Sequence, residues 1–239
     1  MAKENFVLLV GKLQELPKTN KEQTIGKFRL NTLRRNDKYD TPIVRVVDEK
    51  IIQKLPTFNV DDFILVKGIV STRDVVKRAQ CPKCGTIGSA RGTTTEVLAI
   101  DAINIGPNYE LEDLKEVSNI VRMLGTLCRE PVLTTTSSQT KVSLCKYQIA
   151  ANRKLNVASE PDVYSDYPWV NSFGRQADQD ALHLETGSQV YIDGGLQTRT
   201  LRRECHCESC GCDYKTEGDT IIEIVPHSVE YLNNCKFDE

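Results

Sequence analysis

Apolar and polar positions along the chain predict a series of short β-strands and only brief helices. Residues 5–13 are an almost continuous apolar, β-prone run, whereas Phe28 and Leu30 alternate with polar neighbours at the period of a half-buried strand. Strands are predicted over residues 5–13, 27–32, 43–47, 63–73 and 93–100. A short helix over residues 48–55, with Asp48 as its N-cap, separates the third strand from the fourth. This order of elements is that of an OB barrel.

The pattern occurs twice in the chain. A strand with a Thr-Arg end and a Cys-x-x-Cys-Gly motif recur at one offset of 126 residues, which takes Arg73 to Arg199 and Cys81 to Cys207. Such self-similarity indicates an internal duplication. The second copy is predicted to have strands over residues 119–125, 147–153, 168–175, 187–199 and 220–225 and a helix over residues 176–184. We therefore predict a mainly β fold of two tandem OB-fold barrels, at residues 1–106 and 119–239, joined by an acidic linker at residues 107–118.

Composition places the chain among soluble globular proteins. Hydrophobic residues make up 39% and charged residues 27% of its 239 residues. No stretch approaches the roughly 18 apolar residues of a membrane span, and the first apolar run is too short for a signal peptide. We expect a cytoplasmic protein of a prokaryote or a phage, and the phage or mobile-element origin rests on the unusual architecture alone.

The net charge of −2 conceals a difference between the two halves. Residues 1–106 carry 18 Lys and Arg against 12 Asp and Glu, and the remaining residues carry 13 against 21. A basic first half suits a polyanion partner. The acidic second half favours a protein partner unless its cations are arranged locally.

The nine cysteines predict metal binding before disulfides in a reducing compartment. Each hairpin supplies two matched thiols, whereas a structural zinc takes four ligands in a tetrahedron. We predict a structural Zn²⁺ knuckle at each hairpin tip, with one ion shared between the repeats or between two chains by Cys81, Cys84, Cys207 and Cys210. The alternative is a local site of Cys205, Cys207, Cys210 and Cys212, which has cramped spacing and leaves the first knuckle without a metal. A Cys-x-x-Cys redox pair is disfavoured because the βαβ setting is missing. Cys128, Cys145 and Cys235 are interpreted as buried or free thiols.

Three motifs are specific enough to be compared with a known family. They are Asn-x-Val-x-Leu-Val-Gly-x-Leu from Asn5, Phe173-Gly174-Arg175 before a helix, and Gly-Ser-Gln-Val-Tyr-Ile-Asp-Gly-x-Leu-x-Thr-Arg at residues 187–199. Together they resemble bacterial single-stranded-DNA-binding proteins and the related primosomal PriB proteins. The likeness covers most of both halves and is strongest over residues 168–203. It implies an OB fold that binds single-stranded DNA and has no enzymatic activity of its own.

The resemblance implies that Phe173 stacks on a base, while the first copy has Val47-Asp48-Glu49 at that place and lacks the platform. The family has no cysteine knuckle, so the zinc prediction rests on this sequence alone. The family often ends in an acidic tail with a terminal Phe that recruits partners. This chain ends in Lys236-Phe237-Asp238-Glu239 without a flexible tract, and we do not expect recruitment through it.

Single-strand binding needs aromatic faces for bases and cations for phosphates. The stacking candidates are Trp169 and Phe173, which are four residues apart and so share a strand face, and Tyr39. The competing interpretation places these rings in the core, where we expect Phe28 and Tyr147. The phosphate candidates are Arg29, Arg34, Arg35, Lys38, Arg45, Arg73, Lys77 and Arg78 in the first repeat and Arg153, Lys154, Arg175, Arg199, Arg202 and Arg203 in the second. The matched pairs Arg73–Arg199 and Arg34–Arg153 stand out, although matched positions could equally preserve structure.

We therefore expect a non-enzymatic protein that binds single-stranded DNA, or RNA, in replication, recombination or repair. Replication or recombination proteins and a second copy of the chain, in a homodimer, are expected partners. The alternative is an OB-fold protein-interaction module, an accessory factor in which one barrel or neither binds nucleic acid, because fold alone does not assign function.

Overall fold

The computed structural model describes residues 3–136, 140–154, 157 and 160–236. In the first half the strands are β1 (Glu4–Leu13), β2 (Lys18–Thr19), β3 (Gly26–Leu33), β4 (Tyr39–Asp40), β5 (Ile43–Val46), β6 (Phe63–Gln80) and β7 (Ile87–Gly106). In the second half they are β8 (Asn119–Leu127), β9 (Val132–Thr135), β10 (Ser143–Asn152), β11 (Ser165–Asp166), β12 (Trp169–Phe173), β13 (Gln189–Leu201), β14 (Glu204–His206), β15 (Asp213–Lys215) and β16 (Asp219–Asn233). The mainly β prediction is confirmed. The expectation about the chain's tail falls on Phe237, Asp238 and Glu239, which lie outside the described residues.

Strand pairing follows the same closed circuit in each half. In the first half β1 pairs with β3, β3 with β5, β5 with β7, β7 with β6, and β6 with β1. In the second half β8, β10, β12, β16 and β13 pair in the corresponding order and return to β8. The single parallel pairing also recurs, as β5 with β7 and as β12 with β16. Each half therefore repeats one topology.

The two halves are joined by antiparallel pairing of β1 with β8. Val7 pairs with Val121, its own counterpart in the repeat, because the first strands of the two copies are 114 residues apart. Asn5 pairs with Met123 and Leu9 with Asn119, which are exchanged by the same correspondence. This register is self-complementary, as in a two-fold symmetric dimer, so a pseudo-two-fold axis passes between the two valines.

The core forms because alternate residues of these strands face inward. Phe28 on β3 and Tyr147 on β10 are 2% and 0% exposed, which confirms both as core residues. Gly68 and Gly194 occupy matched bulges, where a Cβ would lie 2.5 Å from the carbonyl oxygen of Leu98 and 2.4 Å from that of Val225. Only glycine allows the strands to approach so closely at these bulges.

The helices are short and close to their predicted positions. Helix α1 (Glu49–Ile52) begins at Asp48, whose side chain accepts hydrogen bonds from the backbone N–H groups of Lys50 and Ile51, as its N-cap role predicts. The acidic linker contains α2 (Lys115–Ser118), and the longest helix of the described residues is α3 (Arg175–His183). Within the described residues, no helix has the length and apolar character needed to cross a membrane.

Two buried clusters fasten the halves to each other. Asp166 accepts hydrogen bonds from Arg153 Nε at 2.6 Å and from the backbone N–H of Thr72, in the other half, at 2.8 Å. The counterpart cluster is Arg34, Asp40 and Thr198, in which the backbone N–H of Thr198 donates to Asp40 at 2.6 Å. Each Arg–Asp pair of one half therefore holds the Thr-Arg strand end of the other.

We expect Asp166→Asn to destabilise the protein by about 3 kcal/mol, because it removes one charge of a buried ion pair and leaves the Arg153 guanidinium short of an anionic partner. Urea denaturation followed by circular dichroism measures the loss. Asp61→Asn is the matched control, since Asp61 pairs with Lys12 at 3.3 Å while its side chain is 70% exposed. The control should stay within about 0.5 kcal/mol of the wild type. Equal losses in the two variants would contradict the structural role of the cluster.

Candidate nucleic-acid interface and metal site

A basic groove around Trp169 lies between the two halves. It has a volume of about 380 Å³. The residues from the first half are Lys77 and Arg91 to Thr95, and those from the second include Lys146, Trp169, Arg199, Arg203 and Glu223. Five cations face one carboxylate across this surface, which we call the Trp169 groove.

Trp169 is half-buried and lies between cations. Lys146 Nζ is 4.7 Å from the ring centroid, and the Arg129 guanidinium carbon is 5.7 Å from it. Both distances are within cation–π range. The indole is therefore fixed beside positive charge, an arrangement that suits a base attached to phosphate.

A buried glutamate holds cations at the surface of each half. Glu223 accepts from Arg199 Nε at 2.7 Å and from Lys146 Nζ at 3.2 Å, while those two side chains remain 40% and 36% exposed. In the first half Glu96 accepts from Arg73 and Lys27 in the corresponding way. Burial raises the pKa of both carboxyls, but hydrogen bonds from these cations outweigh burial and leave each pKa below its ordinary value. Both glutamates therefore stay ionised and orient partly exposed cations.

Three predicted phosphate ligands are buried, and carboxylates are their partners in the structure. The residues are Arg34, Arg45 and Arg153, which are 5%, 5% and 4% exposed. Arg45 forms ion pairs with Glu96 and Glu160, and Arg34 and Arg153 belong to the clusters that join the halves. A guanidinium enclosed by carboxylates cannot also reach a phosphate on the surface.

Four further candidates are engaged in ion pairs or hydrogen bonds at the surface. Arg29 Nη1 donates to Thr220 Oγ1 at 3.3 Å, Arg35 pairs with Glu116 at 3.2 Å, and Lys154 pairs with Glu4. Tyr39 is 54% exposed, but its hydroxyl donates to Glu112. These contacts keep the residues at the surface, and Arg29 adjoins the Trp169 groove through Thr220, which lines it.

Phe173 and Trp169 do not form one platform. Phe173 is 37% exposed and lines a separate cavity of about 600 Å³ together with Lys38 and His227. Arg175 is exposed at the start of α3. The exposure of Phe173 leaves it available as a second aromatic surface.

Beyond the strand circuits, each half extends a two-stranded ribbon. The first ribbon comprises residues 74–93 and the second residues 200–219. Arg78 and Arg202 are exposed on them, and Asp219 forms ion pairs with Lys77, at 3.2 Å, and with Arg203. The ribbons therefore lie side by side and carry several of the predicted cations.

The ribbon tips bring four thiols together. The Sγ atoms of Cys81, Cys84, Cys207 and Cys210 all lie within 4.8 Å of one another. Cys81 is 3.7 Å from Cys210 and Cys84 is 3.5 Å from Cys207, so both contacts run between ribbons. Thiolates around a tetrahedral ion with metal–sulfur bonds of about 2.3 Å would stand about 3.8 Å apart. The four cysteines could therefore hold a metal ion, and they are the set predicted for the shared site.

The two knuckles have one backbone geometry. Gly85 donates to the Cys81 carbonyl at 2.9 Å and Gly211 to the Cys207 carbonyl at 2.8 Å, with φ values of +75° and +66°. Glycine adopts this left-handed conformation without strain. The backbone N–H of Cys84 points at the Cys81 thiol and, with nearby donors, lowers the pKa of Cys81 to about 6. That knuckle therefore favours a thiolate, the form that binds metal.

The alternative local site is not assembled. Cys205 lies outside the group of four, opposite Tyr214 in the small β14–β15 hairpin. Cys212 does touch the group, at 3.3 Å from Cys81 and 3.4 Å from Cys210. Cys145 is buried and burial raises its pKa to about 12, while Cys128 and Cys235 are half-buried free thiols. These three agree with their interpretation as ordinary thiols.

Sequence reasoning missed Lys146, Arg91 and Arg129. Lys146 matches Lys27 in the repeat, so the duplication carried a signal for it. Arg91 and Arg129 follow no matched pattern. Arg91 reaches the groove because its strand comes from the other half, which no local pattern reveals.

Comparison with known proteins places these features in a family context. Residues 118–208 match the single-strand binding protein family. Single-stranded DNA-binding protein 1 of Staphylococcus aureus (strain MSSA476) is 28% identical over 119 residues, which are 49% of this chain and 67% of the relative. The single-stranded DNA-binding protein of strain MRSA252 is 29% identical over 112 residues, which are 46% of this chain and 62% of the relative. The matched segment includes Trp169, Phe173 and the second cysteine motif as far as Cys207.

Solved structures match over the whole length. The wild-type single-stranded DNA binding protein of Thermus aquaticus has a TM-score of 0.63 at 16% identity and covers 100% of this chain and 98% of its own. A deletion mutant of that protein has the same TM-score at 15% identity and covers 98% of this chain and 97% of its own. The likeness extends through both halves, whereas the family match is confined to the second. The chain therefore has the fold of these solved single-stranded DNA-binding proteins, and its residues 118–208 are similar to the single-strand binding protein family.

Proposed function

We propose that this chain binds single-stranded DNA in the Trp169 groove, as a non-enzymatic protein of two tandem OB barrels. The observation that carries the proposal is the half-buried indole held between cations in a groove with four other basic side chains. The relatives named as single-stranded DNA-binding proteins support the ligand class. The two closed strand circuits support the barrels.

The division of work in this groove follows from its chemistry. Base stacking on an aromatic ring contributes about 1–3 kcal/mol per base without sequence readout. The cations track the phosphates, and each neutralised phosphate releases counterions, so affinity should fall as salt rises. Phe173, in its own cavity, offers a second stacking surface further along the strand. RNA also has bases and phosphates. We propose DNA rather than RNA because the relatives are named as single-stranded DNA-binding proteins.

We propose Zn²⁺ as the ion of the four-thiol site. Four thiolates in a tetrahedron are typical of structural zinc, and a closed set leaves no position for a substrate. When bound, the ion would be held by Cys81, Cys84, Cys207 and Cys210, and would fix the two ribbon tips against each other.

Other parts of the expected biology remain proposals. The setting is DNA replication, recombination or repair in a prokaryotic or phage-infected cytoplasm. The barrel limits, residues 1–106 and 119–239, remain as predicted, although the segment between them packs on the first half through Leu111. A homodimer and replication proteins as partners also remain predictions.

The protein-interaction alternative is separated by a binding experiment. Fluorescence anisotropy of labelled oligo-dT should show binding that weakens with salt and exceeds duplex binding, and the only tryptophan should be quenched. Trp169→Ala should raise the Kd roughly 5- to 100-fold, because one stacking contact is lost. Flat anisotropy for wild-type protein at low salt would refute DNA binding and direct attention to protein partners.

A matched pair of charge variants locates the site. Arg91→Gln removes a groove cation and should weaken oligo-dT binding about 3- to 10-fold. Arg122→Gln removes an exposed arginine that pairs with Asp193 on β13, outside the groove residues, and should leave the Kd unchanged. Equal losses of oligo-dT affinity in the two variants would place the bound DNA outside the Trp169 groove.

The metal proposal predicts one zinc ion per chain in protein purified without chelator. Cys84→Ser should lose most of the bound zinc, because a thiolate ligand is removed, whereas Cys128→Ser should retain it. Elemental analysis against protein concentration provides the count. A zinc content unaffected by Cys84→Ser would assign the ion to other ligands.

A further inference from the structure

We propose that the four-cysteine site controls the binding of single-stranded DNA, because it holds in place the first ribbon, which forms one wall of the Trp169 groove. The inference rests on the proposed function and adds regulation of that site. Metal at the ribbon tips and single-stranded DNA in the groove then bind cooperatively, although neither contacts the other.

The first ribbon has little support of its own. Its strands pair from Asp74 opposite Thr93 to Gln80 opposite Ile87; alternate residues are exposed on the β6 side, and residues 87–91 are all exposed on the β7 side. The ribbon lies beyond the hydrophobic core, because the last core residue before it is Val70 on β6 and the first core residue after it is Val97 on β7. A two-stranded ribbon without a packed face is at most marginally stable in water.

Few contacts other than the thiols tie the ribbons together. Lys77 pairs with Asp219 at 3.2 Å, where the side chains are 17% and 44% exposed. An ion pair of this exposure contributes at most about 1 kcal/mol. The close approach at the tips is between thiols, Cys81 with Cys210 and Cys84 with Cys207. Hydrogen bonds between thiols are weak, whereas a cation between the thiolates would hold the tips firmly.

The groove depends on the position of this ribbon. Lys77 and Arg91 to Thr95 form its first-half side, while Trp169, Lys146 and Arg199 belong to the second half. The second-half residues are fixed by β10, β12 and β13, which have a buried core beneath them. If the contact between the ribbon tips is lost, the first ribbon moves away from the rigid second-half side of the groove. Its cations, Lys77 and Arg91, then move away from the DNA.

The repeat explains why the tips meet. The correspondence that exchanges the halves takes Cys81 to Cys207 and Cys84 to Cys210, so the contacts Cys81–Cys210 and Cys84–Cys207 are exchanged with each other. The four thiols therefore lie around the pseudo-two-fold axis that also passes between Val7 and Val121. One ion on this axis would hold both ribbons.

The test is a thermodynamic cycle between zinc and Arg91, measured by oligo-dT anisotropy. Zinc-loaded wild type should bind roughly tenfold more tightly than chelator-treated wild type, within the range typical of coupled sites. Arg91→Gln should weaken binding of the loaded protein and have little further effect on the metal-free protein, whose wall is already displaced. Cys128→Ser is the control that should behave as wild type in both states.

A reciprocal experiment measures zinc binding and does not require a dissociation constant for DNA. If the two sites are coupled, saturating oligo-dT must raise the equilibrium affinity for zinc, measured by competition with a chelator, by the same factor. Far-UV circular dichroism of the metal-free protein should retain the sheet signal, while hydrogen exchange should rise in residues 74–93 and stay low in β10 and β12.

Each outcome decides the question. Equal oligo-dT affinity with and without zinc overturns the inference but leaves single-strand binding intact. The same holds if Arg91→Gln weakens oligo-dT binding equally in the zinc-loaded and the metal-free protein. Loss of the whole sheet signal on zinc removal also overturns it, because the metal would then hold the fold rather than the wall. Absence of oligo-dT binding by loaded wild type refutes the proposed function itself, and the inference with it.

Discussion

The antiparallel pairing of β1 with β8 is the constraint on which the rest of the structure depends. Because Val7 meets its own counterpart Val121, the two halves are related by a pseudo-two-fold axis, and the buried clusters across the boundary occur in matched pairs. The Arg–Asp clusters follow from it, since Asp40 reaches Thr198 as Asp166 reaches Thr72. The cysteine contacts at the ribbon tips follow as well. A single strand pairing thus determines both the join between the halves and the position of the candidate metal site.

The strands were predictable from the sequence because period-two alternation and the repeat at 126 residues are local or countable signals. The roles of individual arginines were not. Arg34 and Arg153 match in the repeat because they build buried clusters, and a matched position gives no information about exposure. Their partners become visible only when the halves pair, since Asp40 binds a residue 158 positions away. The cysteine site was within reach because two incomplete ligand pairs with one spacing imply a shared ion.

The two halves have the same strand framework and different surfaces. Each has a buried glutamate that orients a lysine and an arginine, Glu96 with Lys27 and Arg73, and Glu223 with Lys146 and Arg199. Only the second half places an indole beside them, at Trp169, whereas Ile43 occupies the corresponding position of β5. The cations that could bind phosphate are therefore repeated, but the indole that could stack on a base is not. In the proposed function, single-stranded DNA should contact the second half with its bases and phosphates, and the first half mainly with its phosphates.

The acidic charge of the second half does not oppose this arrangement. Glu223 is 3% exposed and its charge is used to fix Arg199 and Lys146, so it adds to the net negative count while it directs cations outward. Asp166 is likewise buried within its arginine pair. Exposed charges are screened within about 8–10 Å at physiological salt, so a strand in the groove responds to nearby side chains and not to the sum over a domain. Net charge favours a protein partner for the second half, but the local distribution favours a polyanion.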